Sequence, residues 1–177
     1  MKFSDWFKNN LTVEAIPSPT DVINGKFNEF DVVINVSDEI RFECMGKFVS
    51  QGIKYFWFPM NELKKDIGLN SIYGAICVLH KAEMRKEKVY LHCHAGANRS
   101  QTVADAYYYA RAGKHREFFV NNRSSAGFIN RLCANCGRGY LPPKAEMESF
   151  LSELGKKLEL QEYKGLTELK VNNVNNF

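Results

Sequence analysis

A chain of 177 residues, 45% hydrophobic and 25% charged, is long enough to bury its own core and is neither a disordered polymer nor a disulfide-stapled miniprotein. Its net charge of +4 suits an anionic ligand, but the cations are dispersed, which argues against a dedicated nucleic-acid stripe. No apolar run nears the roughly 18 residues that a bilayer span needs.

The N-terminus, MKFSDWFKNN, has no apolar signal region, so a soluble, cytoplasmic protein without membrane insertion is expected. Five cysteines, an odd number without framework spacing, fit a reducing compartment. Residues 1–28 hold Pro17, Pro19 and Gly25 among short apolar pairs and read as a strand or turn region. Residues 31–36 (DVVINV) are a β-branched strand ended by Ser37, Asp38 and Glu39. Residues 53–58 (IKYFWF) form a second strand, stopped by Pro59. The spacing predicts a helix from Leu69 to Arg85, capped by Asn70 or Ser71, with Ile72, Ala75, Ile76 and Leu79 on one face. The run from Lys81 to Lys88, broken by Glu83 and Glu87, reads as the solvated end of that helix.

Lys88 to Cys93 is a short strand, followed by a Gly-containing turn and a helix from Arg99 to Ala112 that Gly113 closes. Further helical segments are predicted at 115–121 and 125–133. A last helix begins at Pro143 and carries an apolar stripe of Met147, Phe150, Leu151, Leu154 and Leu158. The Asn-rich end, KVNNVNNF, reads as a loose tail or a short edge strand. Strands alternating with helices imply a single α/β domain over residues 1–160, with a central four- or five-stranded mixed sheet flanked by helices, and a C-terminal tail at 161–177. A ligand then sits at the carboxyl ends of the strands.

The informative segment is His92-Cys93-His94-Ala95-Gly96-Ala97-Asn98-Arg99-Ser100. A strand ends, a short loop turns and a helix starts, so the loop amides and the helix N-terminus converge as an anion nest. Gly96 permits the backbone that such a loop needs. A cysteine beneath those amides and near Arg99 ionises below its free value of about 8.5. Its thiolate is then an in-line nucleophile, and Arg99 can grip two phosphate oxygens bidentately. The Ser100 hydroxyl is placed to hydrogen-bond the sulfur, and His92, at the strand end, to fix the loop rather than to act as an acid.

These nine residues resemble the signature of the cysteine-based protein tyrosine phosphatase superfamily: a His-Cys pair, five residues, then Arg and Ser or Thr. The Ala95-Gly96 and Arg99-Ser100 pairs are similar to its dual-specificity branch. The resemblance extends over residues 12–160 and is sharp at 92–100. It implies a phosphatase acting on phosphotyrosine, phosphoserine or phosphothreonine proteins through a cysteinyl phosphate at Cys93. It further implies a phosphate held by residues 94–99 (His94, Ala95, Gly96, Ala97, Asn98 and Arg99), without metal or organic cofactor. Nothing in the sequence sets the oligomeric state.

The resembled family places an acidic Asp on a loop some thirty residues before the cysteine. The matching position here is Glu62, a departure with a similar intrinsic pKa. Glu62 is one reading of the general acid and Asp66 a second; a third is that neither serves and good leaving groups are preferred. As a bland alternative, both carboxylates favour a helix start from the surface. Asn98-Arg99 resembles the RNA 5′-triphosphatase branch, so an RNA 5′ end is an alternative substrate. A phosphate-reading module with weak catalysis is another.

Cys133 and Cys136 resemble half of a zinc site that His80, His115 or a partner chain would have to complete; buried or half-buried thiols are the simpler reading. A disulfide between Cys93 and a nearby cysteine is a redox alternative. Trp6, Trp57 and the run Tyr107 to Tyr109 suit core packing better than base stacking. Arg123 and Arg138 are candidates for a second phosphate, with solvation the default.

Overall fold

The computed structural model describes residues 1–62, 67–116 and 130–174, those from 160 on as backbone alone. Among the described residues the strands β1 (Leu11–Glu14), β2 (Val32–Asn35), β3 (Lys54–Trp57) and β4 (Val89–His92) form one sheet in the order β1-β4-β2-β3. Around it lie α1 (Phe3–Asn9), α2 (Pro19–Ile23), α3 (Phe42–Ser50), α4 (Leu69–Arg85), α5 (Arg99–Ala112), α6 (Arg131–Gly137) and α7 (Lys144–Val174).

Every residue of β2 and β4 is buried. Central parallel strands are covered on both faces and read as continuous apolar runs, which is why these two segments stand out in the sequence. Their side chains alternate. Val32, Ile34, Val89 and Leu91 join the larger core with α4, α5 and α7, whereas Val33 and Tyr90 join a smaller core with Cys44 and Phe48 of α3.

The sheet is parallel throughout, not mixed: Val32 pairs with Val89 on one side and Lys54 on the other, and Leu11 pairs with Val89. The reason is connectivity. Each successive pair of strands is joined across a helix (α2, α3 and α4 in turn), which returns the chain to the same end.

The helices at 69–85 and 99–112 stand as expected, and Gly113 closes α5 with φ of 67°. The cap of α4 differs. Gly68 holds the cap position without a side-chain bond, and Ser71 Oγ donates instead to the Pro59 carbonyl at 2.8 Å. The first 28 residues contain α1, β1 and α2 rather than a strand or turn region alone. Trp6, 1% exposed, anchors α1 by donating from Nε1 to the Glu87 carbonyl at 3.0 Å.

The segments expected at 115–121 and 125–133 fall largely on positions 117–129, outside the described residues; α6 follows at Arg131–Gly137. The closing segment is helical to Val174 rather than a loose tail or edge strand, since no proline interrupts the helix formers that continue α7. Trp6 and the tyrosine run are packing residues. Tyr107 is fully buried, meets Phe3 and Trp6 edge-on, and hydrogen-bonds Glu83. Tyr108 packs on Phe7.

Candidate active site

The chain leaves β4 at His92, turns over in six residues, 93–98, and enters α5 at Arg99. Two backbone bonds pin this loop to its neighbours: Ile16 N–H donates to the His94 carbonyl at 3.0 Å, and Val36 N–H to that of His92 at 2.9 Å. Gly96 has φ of 69°, and a Cβ there would lie 2.5 Å from the Glu14 carbonyl carbon and 2.6 Å from the Ala15 nitrogen. Both the dihedral and the wall therefore demand glycine.

Cys93 lies beneath this turn, 2% exposed, with Sγ 3.3 Å from Ser100 Oγ. Burial pushes its thiol up. Hydrogen bonds from the Ser100 hydroxyl and from the backbone of Ser100, Gly96 and Asn98 outweigh that cost and hold the thiol below its ordinary range. His92 is buried beside it, and burial lowers its imidazole to about 4. The neutral ring lies with Nδ1 3.3 Å from the Cys93 carbonyl. A carbonyl only accepts, so Nδ1 carries the proton and the ring bonds the backbone at the start of the loop.

Arg99 is 8% exposed and reaches across the carboxyl end of the sheet. Its Nη1 donates to Asp38 Oδ1 at 2.6 Å and to the Met60 carbonyl at 2.9 Å. Nε lies 3.1 Å from Glu62 Oε1, an ionic contact without hydrogen-bond geometry. Glu62 is thus brought to the guanidinium. Asp66 lies outside the described residues, as does Arg123. The side chains of His94, Ala95 and Ala97 are exposed.

In sequence Asp38 and Glu39 mark only the end of a strand, yet both reach this site. Asn35 builds their loop: its Oδ1 accepts from Ser37 N at 2.8 Å and its Nδ2 donates to the Glu39 carbonyl at 2.8 Å. Trp57 Nε1 adds a bond to the Ser37 carbonyl at 2.7 Å. The loop then delivers Asp38 to Arg99 and sets Glu39 Oε2 2.5 Å from His94 Nδ1. A carboxylate pair directly after a buried strand was the available signal, but only the pairing of β2 with β4 places it beside Cys93.

Elsewhere, Cys133 Sγ lies 3.7 Å from His115 Nδ1, and His115 Nε2 is 2.7 Å from Glu148 Oε1. Among the described residues no three His, Cys, Asp or Glu side chains are grouped to hold a metal. Burial raises the thiols of Cys133 and, to about 11, Cys136. Arg138 is exposed.

The fold occurs in known proteins. Solved PTPMT1 superposes with a TM-score of 0.53 at 18% identity, covering 89% of this chain and 97% of that one. The core catalytic domain of the PP-IP phosphatase SIW14 from S. cerevisiae gives 0.55 at 12% identity, over 88% and 89%. Laforin of Mus musculus is 23% identical over 112 residues, which are 58% of this chain and 34% of laforin, so the chain spans well under half of that relative. Residues 20–125 match the dual specificity phosphatase catalytic domain. With the match extending over more than half of its length, the chain belongs to the dual specificity phosphatase family of cysteine-dependent phosphatases.

Proposed function

We propose that the chain hydrolyses single phosphate esters of tyrosine, serine or threonine in proteins, by way of a cysteinyl phosphate at Cys93. The observation that carries this reading is the buried Cys93 sulfur, 3.3 Å from Ser100 Oγ at the foot of the loop between β4 and α5, with its thiol held below its ordinary range. The Cys93 thiolate attacks phosphorus; the S–P bond forms as the P–O bond to the leaving group breaks. Loop amides of residues 94–99 and the Arg99 guanidinium stabilise the equatorial oxygens. To do so Arg99 exchanges its contacts with Asp38 and Glu62 for phosphate oxygens. A carboxyl group, Glu62 in this reading, protonates the leaving oxygen and then takes a proton from the water that cleaves the S–P bond.

Three carboxylates, Asp38, Glu39 and Glu62, stand around Arg99 and His94. They repel a ligand with many phosphates more than one with a single phosphate, which supports a phosphopeptide over an RNA 5′-triphosphate. The same argument weighs against inositol phosphates, although PTPMT1 has been solved with PI(5)P. A cavity of about 570 Å³ opens beside Asp38, lined by Pro59, Asn61 and Gly68 to Ser71; it offers room for the side chain that bears the phosphate.

A panel of phosphotyrosine, phosphoserine and phosphothreonine peptides, PI(5)P, pyrophosphorylated inositol and triphosphate-ended RNA tests the substrate. The highest kcat/KM is expected on a phosphopeptide; a clear preference for RNA or inositol phosphate would replace that assignment. Glu62→Gln is expected to slow phosphoserine peptide by about 10²-fold or more, within the range of acid catalysis, and an activated aryl phosphate much less. Equal slowing of both removes Glu62 from the acid role.

A further inference from the structure

Asn98 occupies the N-cap position of α5, where an asparagine ordinarily caps the helix with its own side chain. Here it caps nothing, and its backbone, at φ −130° and ψ −74°, is neither helical nor extended. The side chain turns instead to α6. Asn135 Nδ2 donates to Asn98 Oδ1 at 2.9 Å and to Thr102 Oγ1 at 2.7 Å, while Asn98 Nδ2 lies 3.5 Å from Asn135 Oδ1. Thr102 closes the ring by donating from Oγ1 to the Asn98 carbonyl at 2.9 Å. Asn135 and Thr102 are both fully buried, and a buried amide is kept only where its bonds are met.

Asn135 is itself held from several sides. Its carbonyl accepts from Tyr140 N at 2.9 Å. Asp105 of α5 accepts from Arg131 N at 2.8 Å, and the Asn130 side chain caps α6 by accepting from Cys133 N at 3.0 Å. The asparagine is therefore a fixed post, and the residue it grips belongs to the loop over the nucleophile.

We propose that Asn135 is a positioning residue of the phosphatase reaction: through its bond to Asn98 it holds in place the last peptide of the loop that covers Cys93. The inference rests on the reading of Cys93 as nucleophile. Without that bond the tie between Asn98 and α6 is gone, and the Asn98 peptide turns away from the sulfur. One of the backbone groups that stabilise the thiolate is then lost.

The test is the pH dependence of Cys93 alkylation by iodoacetamide, read by peptide mass spectrometry on the full chain, beside kcat/KM on a phosphopeptide. In Asn135→Ala the alkylation midpoint is expected to move to higher pH, and kcat/KM to fall about tenfold or more, as for a displaced catalytic loop. Asn98→Ala cuts the same bond from the other side and is expected to shift the midpoint likewise. The double variant is expected to be no worse than the poorer single one, because both remove one interaction. A merely structural Asn135 would lower Tm and leave the midpoint where it was. A wild-type midpoint in folded Asn135→Ala overturns the proposal; should that variant not fold, a wild-type midpoint in Asn98→Ala does so, as do additive losses in the double variant. The alkylation assay needs no substrate, so a wild-type chain that releases phosphate from none of the panel defeats the functional reading separately.

Discussion

Cys93→Ser is expected to end phosphate release, with kcat lowered by about 10⁴-fold or more, as when a nucleophile is removed from other covalent catalysts. The groups that hold the Cys93 thiol below its ordinary range cannot do the same for an alcohol, whose pKa lies far higher. The serine stays neutral and cannot attack phosphorus at useful rates. The surroundings of the sulfur survive the change, because Ser100 Oγ, 3.3 Å from Sγ, can bond a hydroxyl as readily as a thiol. Vanadate or phosphate should therefore still bind, as isothermal titration on the folded variant would show. Turnover at the wild-type rate would remove Cys93 from the nucleophile's role. In the wild type, the lowered thiol pKa implies that the acidic limb of kcat/KM falls below the free-thiol value of about 8.5, the thiolate being lost as pH drops through the folded value.

Gly96→Ala is the second large effect. The new methyl would sit 2.5 Å from the Glu14 carbonyl carbon and 2.6 Å from Ala15 N, on a backbone with φ of 69°. Neither neighbour is a side chain that can swing aside, so the loop itself must shift. Its amides then no longer point at one phosphorus-bound oxygen set, and a displacement of about 1 Å costs on the order of 10²-fold in rate. Gly113→Ala separates strain from collision. Gly113 has nearly the same dihedral, 67°, but no atom within 4 Å of the added carbon. It is expected to lose about 1 kcal/mol of stability and to keep its kcat/KM. Equal losses of kcat/KM in the two variants would show that the wall behind Gly96 does not set the loop.

The parts of the fold that were legible in the sequence are those whose signals are local. β4, the turn and α5 follow one another without a break, so strand, glycine and helix could be read as one unit. α4 was legible because Ile72, Ala75, Ile76 and Leu79 share a face within a single long helix. α3 was not. It lacks a side-chain cap, carries Gly46 at its middle, and is stabilised by burying Cys44 and Phe48 against β2 and β4, contacts that no local window contains. α1 depends on a bond from Trp6 to a carbonyl 81 residues away.

The site divides the same way. Cys93, Arg99 and Ser100 are neighbours in sequence, and the Cys93 sulfur meets the Ser100 hydroxyl in space. Asp38 and Glu39 reach Arg99 and His94 from a different strand's loop, so only the order of the strands reveals them. Asn135 is hidden for the same reason, since nothing near it in the chain announces a loop 37 positions earlier.

The backbone that Gly96 abuts belongs to Glu14 and Ala15, at the end of an edge strand ahead of the stretch that matches the family, which starts at residue 20. A recombinant fragment trimmed to residues 20–125 would retain Cys93 and Arg99 but remove the main chain against which the turn rests. What the turn meets at 14 and 15 is main chain, so its support there does not depend on which side chains those positions carry. The number of residues between β1 and α2 is not free, since one inserted or deleted there would move that main chain out of place.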